Sequence, residues 1–163
     1  MGGWGERGRG LRRQLGLISF GYLLLLLGVL WMLNPSLPAD LVRFFRDFRL
    51  ERIDGEILFP VPGQPQSHTS LFTTAMQFCL AYGGFQIFIF ILRFIQDEPI
   101  NMKAGTASAT AFWLMMGFFL HLLVNEAIKW LGLLAGFIIS VGLAITVSNM
   151  MKLLAMYRGE TKI

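Results

Sequence analysis

Long runs of apolar residues constrain this chain more than any other feature. The first run, residues 15–33, reads LGLISFGYLLLLLGVLWML and contains no charged residue. At a helical rise of about 1.5 Å per residue, a run of roughly 20 residues crosses a hydrocarbon core of about 30 Å. Four spans are predicted, at residues 15–33, 71–95, 106–124 and 129–151. We therefore expect an all-α integral membrane protein, a bundle of about four transmembrane helices.

The composition agrees with a chain whose main solvent is lipid. Hydrophobic residues make up 55% of the 163 residues and charged residues 15%, against about 25% charged residues in a typical soluble domain. A chain of this length suits one bundle of helices and leaves no room for a second domain of ordinary size. We expect a basic cytoplasmic arm at residues 1–14, a transmembrane domain at 15–152 and a polar tail at 153–163.

The first span has the flanks of a membrane anchor. Four arginines precede it, and the pair Asn34-Pro35 stops it. A secretory signal peptide is the alternative, because it also combines a basic start with an apolar run. However, this run is longer than the usual hydrophobic region of about 7–15 residues, and no clean small-x-small cleavage site follows it. We therefore expect the segment to be retained as an anchor.

The polar connection 34–70 divides into two pieces with different patterns. In the first piece, apolar side chains recur at intervals of three and four residues while basic side chains take the other face, as in an amphipathic helix. The apolar face comprises Leu41, Phe44, Phe45 and Phe48, and the basic face comprises Arg43 and Arg46. This pattern predicts a helix in the plane of the membrane interface, and packing over the end of the bundle is the alternative.

The second piece of the connection has the signature of a short hairpin or loop. Asp54-Gly55 separates two stretches rich in apolar residues, as a two-residue hairpin turn does. Pro60, Pro62 and Pro65 follow. Because proline lacks a backbone N–H, we expect these residues to exclude regular structure before the second span.

The last apolar stretch, 104–151, is interrupted by Asn125, Glu126 and Lys129. We predict a tight helical hairpin, in which Asn125 adopts the left-handed conformation that ends a helix and Lys129 anchors the next helix at the interface. Because the turn contains no proline, a bent in-plane segment or a boundary nearer Gly132 is the alternative.

Small residues recur at every fourth position of the last span. They are Gly132, Gly136, Ser140, Ala144 and Ser148. Such a stripe lets two helix backbones approach closely, which is how membrane helices gain packing where lipid tails are as apolar as leucine. The stripe predicts a helix-packing interface, either inside the bundle or with another subunit.

One ionisable side chain, His121, falls well inside a predicted span. Ionisable groups at such depth are functional candidates, because hydrocarbon disfavours them. Asn125 lies one helical turn further on and Glu126 is close by, so the three residues form a candidate polar site. A hydrogen-bonded structural histidine near the helix end is the alternative interpretation.

The sequence offers little for catalysis. It contains no GxSxG, P-loop or HExxH pattern, and its single cysteine, Cys79, excludes an intramolecular disulfide. The acidic residues of the connection match no calcium loop or two-metal motif. We expect no catalytic residue, no cofactor and no metal site. The net charge of +4 is spread along the chain, which argues against nucleic acid as a partner.

The distribution of lysine and arginine predicts the orientation. With four spans, nine of these residues share one side with both termini and five lie on the other side. This bias predicts a multi-pass cell-membrane protein with both termini in the cytoplasm. A three-span protein, the alternative, would place the carboxyl terminus outside.

The function predicted first is that of a small non-catalytic membrane protein. It would be an accessory or structural subunit of a larger membrane complex or homo-oligomer, packing through small-residue helix faces. Its partners would be the lipid bilayer and other membrane subunits or copies of itself. The alternative is a small transporter or channel whose polar pathway near His121 is lined by Gln77, Gln86, His121, Asn125 and Asn149. A membrane-embedded enzyme ranks third, because no activated nucleophile is visible.

Overall fold

The computed structural model describes residues 3–53, 57–63 and 65–157. Its elements are helix α1 (Gly3–Leu33), helix α2 (Leu37–Arg46), strands β1 (Phe48–Ile53) and β2 (Ile57–Pro62), a 3₁₀ turn (Pro65–His68), and helices α3 (Thr69–Ile95), α4 (Ile100–Val124) and α5 (Trp130–Tyr157). In this described part, four helices are long and apolar enough to cross a membrane. This confirms the four predicted helices and fits an all-α bundle.

The long helices extend beyond the apolar runs that predicted them. Helix α1 begins at Gly3, inside the basic arm, although its apolar stretch starts at Gln14. Helix α4 begins at Ile100, and α5 continues to Tyr157, into the predicted tail. The rest of the tail, 158–163, lies outside the described residues. Hydropathy marks where lipid contact ends, whereas backbone hydrogen bonding continues into polar sequence until a turn stops it.

The main contacts between the long helices follow chain order, with α1 on α3, α3 on α4 and α4 on α5. Neighbours run antiparallel. The Tyr22 hydroxyl donates to the Ala81 carbonyl at 3.3 Å, and the Asn34 side-chain amide donates to Thr74 Oγ1 at 3.1 Å. Rising residue numbers in α1 therefore meet falling numbers in α3. As a result, the two described ends of the chain lie at the same end of the bundle.

Two glycines let α3 and α4 approach closely. A Cβ added at Gly83 would lie 2.8 Å from Leu114 Cδ2, and a Cβ added at Gly117 would lie 2.8 Å from Leu80 Cδ2. The contacts are reciprocal, because each helix sets a leucine against a glycine of the other. Close backbone approach increases the dispersion contacts that hold membrane helices together. Neither glycine belongs to the small-residue stripe predicted from the sequence.

The connection between the first two spans contains α2 and an antiparallel hairpin. Helix α2 ends at Arg46, so the placement of Phe48 on the amphipathic helix is wrong: Phe48 is the first residue of β1. The Gly63 amide donates to the Asp47 carbonyl at 3.0 Å. This bond starts the pairing of β1 with β2, and the backbone after Asp47 is therefore committed to the hairpin instead of another helical turn.

The hairpin contains prolines that were expected to exclude regular structure. Strand β2 includes Pro60 and Pro62. Because the Gly63 amide bonds to the Asp47 carbonyl, the odd-numbered residues of β2 direct their N–H groups toward β1. Both prolines occupy even positions, where the backbone nitrogen faces away from the partner strand and no donor is needed. The predicted Asp54-Gly55 turn lies outside the described residues.

Both helical hairpin turns place an acidic residue in the left-handed conformation. Asp97 has φ 48° after α3, and Glu126 has φ 59° after α4. The expectation that Asn125 takes this conformation is wrong, since its φ is −86°. Asn125 occupies the C-cap, and the closing motif requires the left-handed residue one position later.

Replacing Asp97 with glycine is expected to raise the free energy of unfolding by about 1 kcal/mol relative to Asp97→Ala, because glycine adopts positive φ without a Cβ clash. Both variants remove the contact between Asp97 Oδ1 and Lys103 Nζ at 3.2 Å, so their difference isolates the backbone effect. The midpoint of unfolding by sodium dodecyl sulfate in mixed micelles measures it. Equal midpoints for the two variants would show that the positive φ of residue 97 does not strain a residue that carries a Cβ.

Candidate functional site

The segments that connect the helices gather at one end of the bundle, around the ring of Phe44. Its ring centroid lies 5.0 Å from that of Phe48, 5.4 Å from His68, 5.6 Å from Phe72 and 5.7 Å from Trp130. Aromatic pairs in such edge-to-face arrangements stabilise a fold by about 0.5–1.5 kcal/mol each beyond their burial. Phe44 thus joins α2, β1, α3 and α5 in one aromatic cluster.

The remaining side chains of the predicted interfacial helix are exposed, although the Phe45 ring centroid lies 5.7 Å from that of Phe44 and 6.5 Å from that of Phe48. Phe45 is 67% exposed and Leu41 is 45% exposed, and Arg43 and Arg46 are also exposed. Helix α2 therefore presents one ring to the bundle and leaves further apolar and basic side chains uncovered by the described part of the chain.

A hydrogen bond between the side chains of His68 and Asp47 holds the start of α3 against the end of α2. His68 Nε2 lies 3.2 Å from Asp47 Oδ2, and His68 is only 7% exposed. A buried polar group is destabilising unless it is hydrogen-bonded, and Asp47 supplies that bond to the imidazole. No local sequence pattern indicates this pair, because its members lie 21 residues apart with the hairpin between them.

A half-open groove of about 780 Å³ lies beside the aromatic cluster, between the hairpin and the α4–α5 turn. Its floor includes Phe72 and Leu123, which are both buried. Trp130 flanks the groove, and its indole N–H donates to the Pro60 carbonyl at 3.3 Å. This bond fixes the indole ring against the hairpin. The volume falls within the range of about 300–1,000 Å³ that is usual for ligand pockets.

The edge of the groove carries polar and charged side chains. Lys129 is exposed, and Glu126 Oε1 accepts a hydrogen bond from Gln66 Nε2 at 3.2 Å. Arg49 covers Gly63, with its Nε 3.0 Å from the place that a Cβ of residue 63 would take. The absence of a side chain at Gly63 therefore leaves room for the guanidinium of Arg49 at this edge.

The structure brings together two residues of the predicted polar site and turns the third elsewhere. Asn125 Nδ2 lies 3.0 Å from His121 Nε2, and it also donates to the His121 carbonyl at 3.0 Å. Both side chains are exposed. Glu126 bonds to Gln66 instead. His121 and Asn125 therefore satisfy one another locally at the end of α4.

The other residues considered for a transport pathway are dispersed. Gln86 is buried at 8% exposure, whereas Gln77 and Asn149 are exposed. None of these three, and neither His121 nor Asn125, lines the groove. In the part of the chain that the structure describes, these polar side chains do not converge on that cavity.

The small-residue stripe of α5 faces α4 along much of its length. Gly136, Ser140 and Ala144 are buried, and Gly132 and Ser148 are half-buried. A Cβ added at Gly136 would collide with the ring of Phe119 on α4. The Ser140 hydroxyl donates to the Gly136 carbonyl at 2.7 Å, so this polar group is satisfied within its own helix. The central residues of the stripe are thus occupied by a contact inside the chain.

A second set of charged residues holds the opposite end of the bundle. Arg93 Nη1 lies 3.4 Å from Glu98 Oε2, and the Glu98 side chain is only 5% exposed. The same nitrogen donates to the Met102 carbonyl at 3.2 Å. These contacts join the end of α3 to the start of α4, and we infer a structural role for them. The sequence analysis did not single out this pair, because Glu98 lies outside every predicted span.

No family model, no curated protein and no solved structure matches this chain. The fold itself is that of a multi-pass membrane protein, because four helices among the described residues are long and apolar enough to cross a bilayer.

Cys79 packs in the hydrophobic core beside Phe72 and Leu120. Among the described residues, no three His, Cys, Asp or Glu side chains are grouped to hold a metal ion.

Proposed function

We propose that this protein is a non-catalytic subunit of a larger membrane complex or homo-oligomer, with an accessory or structural role. It would lie in the cell membrane with both termini in the cytoplasm, and α2 would lie in the opposite interface. The arrangement of α1 at the edge of the bundle is the observation that carries this proposal.

Helix α1 packs mainly against α3 and leaves its other faces open. Leu26 and Leu30, on the side toward α3, are 8% and 6% exposed, whereas most other large apolar side chains of α1 are exposed. Gly21 and Gly28 lie about two turns apart on the outward side, and a Cβ on either would meet no atom within 4 Å. A second membrane helix can approach such a face closely. We therefore assign the contact with a partner to this face.

The pairing of polar groups supports a role without catalysis. Charged and polar side chains near the helix ends bond to their neighbours in space, as Arg93 does to Glu98 and Asn125 does to His121. A transport pathway or an active site requires polar groups that converge on a shared space. These pairs instead satisfy single side chains at turns.

The alternation of the helices supports the proposed orientation. Because neighbouring spans run antiparallel, the basic start of α1 and the end of α5 lie on one side. That side also carries Arg93 and Lys103, near the turn from α3 to α4. An excess of lysine and arginine marks the cytoplasmic side of a membrane protein.

The test is purification of the tagged chain in native nanodiscs, followed by mass determination of everything that stays bound. We expect partner subunits, or further copies of the chain, at a fixed ratio. Gly28→Leu should remove them because the added side chain blocks close approach. Gly142→Leu on α5 is the matched control, since a Cβ there also meets no atom within 4 Å, and it should retain them. A wild-type chain recovered alone would contradict the proposal, and equal retention by both variants would contradict the assignment to α1.

Replacing His121 with alanine is expected to leave assembly intact and to change the free energy of unfolding by less than about 0.5 kcal/mol, because the exposed imidazole bonds to a neighbour one turn away. The same nanodisc masses and unfolding midpoints measure both quantities. An ion flux in proteoliposomes that the wild type shows and the variant lacks would favour the transporter or channel alternative.

A further inference from the structure

The groove at the end of the bundle lies at the level where the apolar spans end. Helix α4 ends at Val124, α5 begins at Trp130 and α3 begins at Thr69, and all three residues line the groove. When the four spans cross a bilayer, the ends of their apolar stretches meet the headgroup region. Whatever occupies the groove must therefore suit a boundary between water and hydrocarbon.

The lining of the groove changes from apolar to polar across its width. Phe72, Leu123 and Leu131 contribute the apolar part, and Gln66 and Lys129 contribute to the polar edge. A wholly polar solute would leave the apolar floor of the groove uncovered. A hydrocarbon chain alone would leave the Lys129 ammonium group without an anion. A molecule that is apolar at one end and anionic at the other satisfies both parts.

The charges at the edge favour an anion. Among the ion pairs of the described residues, none includes Lys129. Glu126 lies close in sequence, but its carboxylate accepts a hydrogen bond from Gln66 across the groove. Arg49 lies over Gly63 next to the groove without lining it, and Asp47 Oδ1 lies beside its guanidinium, 3.1 Å from the place that a Cβ of residue 63 would take. Among the lining residues, Lys129 is therefore the cation that faces the polar end of the groove.

We propose that this groove binds the phosphate headgroup of a membrane glycerophospholipid. The Lys129 ammonium contacts the phosphate oxygens, and an acyl chain covers Leu123 and Leu131. The indole N–H of Trp130 donates to the Pro60 carbonyl of the hairpin. The indole ring packs against the glycerol region, as tryptophans at membrane interfaces do. The inference rests on the membrane placement of the four spans and is independent of the subunit role proposed above.

The test is native mass spectrometry of the delipidated full chain, titrated with dioleoyl phosphatidylglycerol. Lys129→Gln is expected to weaken binding of the first lipid about tenfold, since a hydrogen bond to a charged group is lost. Arg43→Gln is the matched control. Arg43 is a cation at the same end of the bundle with a 77% exposed side chain, and it does not line the groove. Its replacement should leave binding of the first lipid unchanged.

Two further probes separate the lipid from its parts. A dioleoyl glycolipid without phosphate and inorganic phosphate alone are both expected to bind far more weakly than the phospholipid. Equal weakening by the two variants would reduce the effect to general charge and overturn the proposal. Equal binding of the glycolipid would overturn it as well, and displacement of the phospholipid by inorganic phosphate would show a site for the free anion instead.

Discussion

Replacing Gly136 with leucine is expected to lower the free energy of unfolding by about 3 kcal/mol, the upper end of the range for overpacking a core. Even a Cβ at this position would collide with the Phe119 ring, so α5 and α4 must separate or Phe119 must leave its place. The midpoint of unfolding by sodium dodecyl sulfate in mixed micelles measures the loss. Elution as a broad or aggregated species in size-exclusion chromatography should accompany it.

Gly142→Leu, on the same helix, is the matched control for this prediction. Because nothing lies within 4 Å of a Cβ at Gly142, leucine there should be neutral, or stabilising by up to about 1 kcal/mol through its higher helix propensity. A double variant, Phe119→Ala with Gly136→Leu, should lose less stability than the two single losses added together. If Gly136→Leu unfolded at the wild-type midpoint, the close contact between α4 and α5 would be refuted.

Replacing Phe44 with alanine is expected to release α2 and the hairpin from the end of the bundle. Outside its own helix, the ring contacts four aromatic side chains on four elements. We expect its loss to cost about 2–3 kcal/mol, less than the 3–5 kcal/mol of a fully buried phenylalanine. The close contacts between α3, α4 and α5 at Gly83, Gly117 and Gly136 lie outside this cluster. Amide hydrogen exchange should therefore speed up in α2, β1 and β2 while the centres of α3, α4 and α5 stay protected.

Phe45→Ala separates this effect from a general loss of aromatic surface. Phe45 is adjacent in sequence and contacts the rings of Phe44 and Phe48, but it is 67% exposed and has no ring contact with α3 or α5 among the described residues. We expect less than about 1 kcal/mol from its replacement and no selective change in exchange. Equal acceleration of exchange by both variants would show that α2 is held by its backbone or by lipid instead of by the Phe44 ring.

The long helices could be predicted from the sequence because hydrophobic length is a local property. Each apolar run carries enough residues to cross a bilayer, and in hydrocarbon the backbone must satisfy its own hydrogen bonds, which favours a helix whatever the neighbours are. The four candidate spans follow from this argument alone. The ends of the helices do not, since α1 and α5 continue into charged sequence where hydropathy gives no signal.

Two of the errors in the connections have a common cause, which is pairing between residues distant in sequence. Phe48 continues an amphipathic pattern, yet the backbone there pairs with β2. Pro60 and Pro62 are acceptable in β2 because of the register with β1, and no local rule specifies that register. The left-handed position after α4 is instead decided locally, by the hydrogen bonds that close the turn, which place Glu126 and not Asn125 in that conformation.

The candidate site shows the same division between local pattern and spatial contact. The stripe of small residues on α5 is visible in the sequence, but its assignment to α4 requires the position of Phe119. The groove was not predicted, because Gln66, Trp130 and the hairpin come from distant parts of the chain. Within the groove, the interfacial signals of Lys129 and Trp130 were visible, and only their grouping was not.

By itself, the sequence determined that this protein has four helices suited to a membrane, since the length and continuity of apolar runs decide that property segment by segment. The tertiary structure alone decided which faces are already used and which remain open. It assigns Gly83, Gly117 and Gly136 to contacts between helices of the chain and leaves Gly21 and Gly28 uncovered. The physical reason is that packing depends on which helices become neighbours, and residues of the same type read identically in the sequence whether they face a helix or lipid.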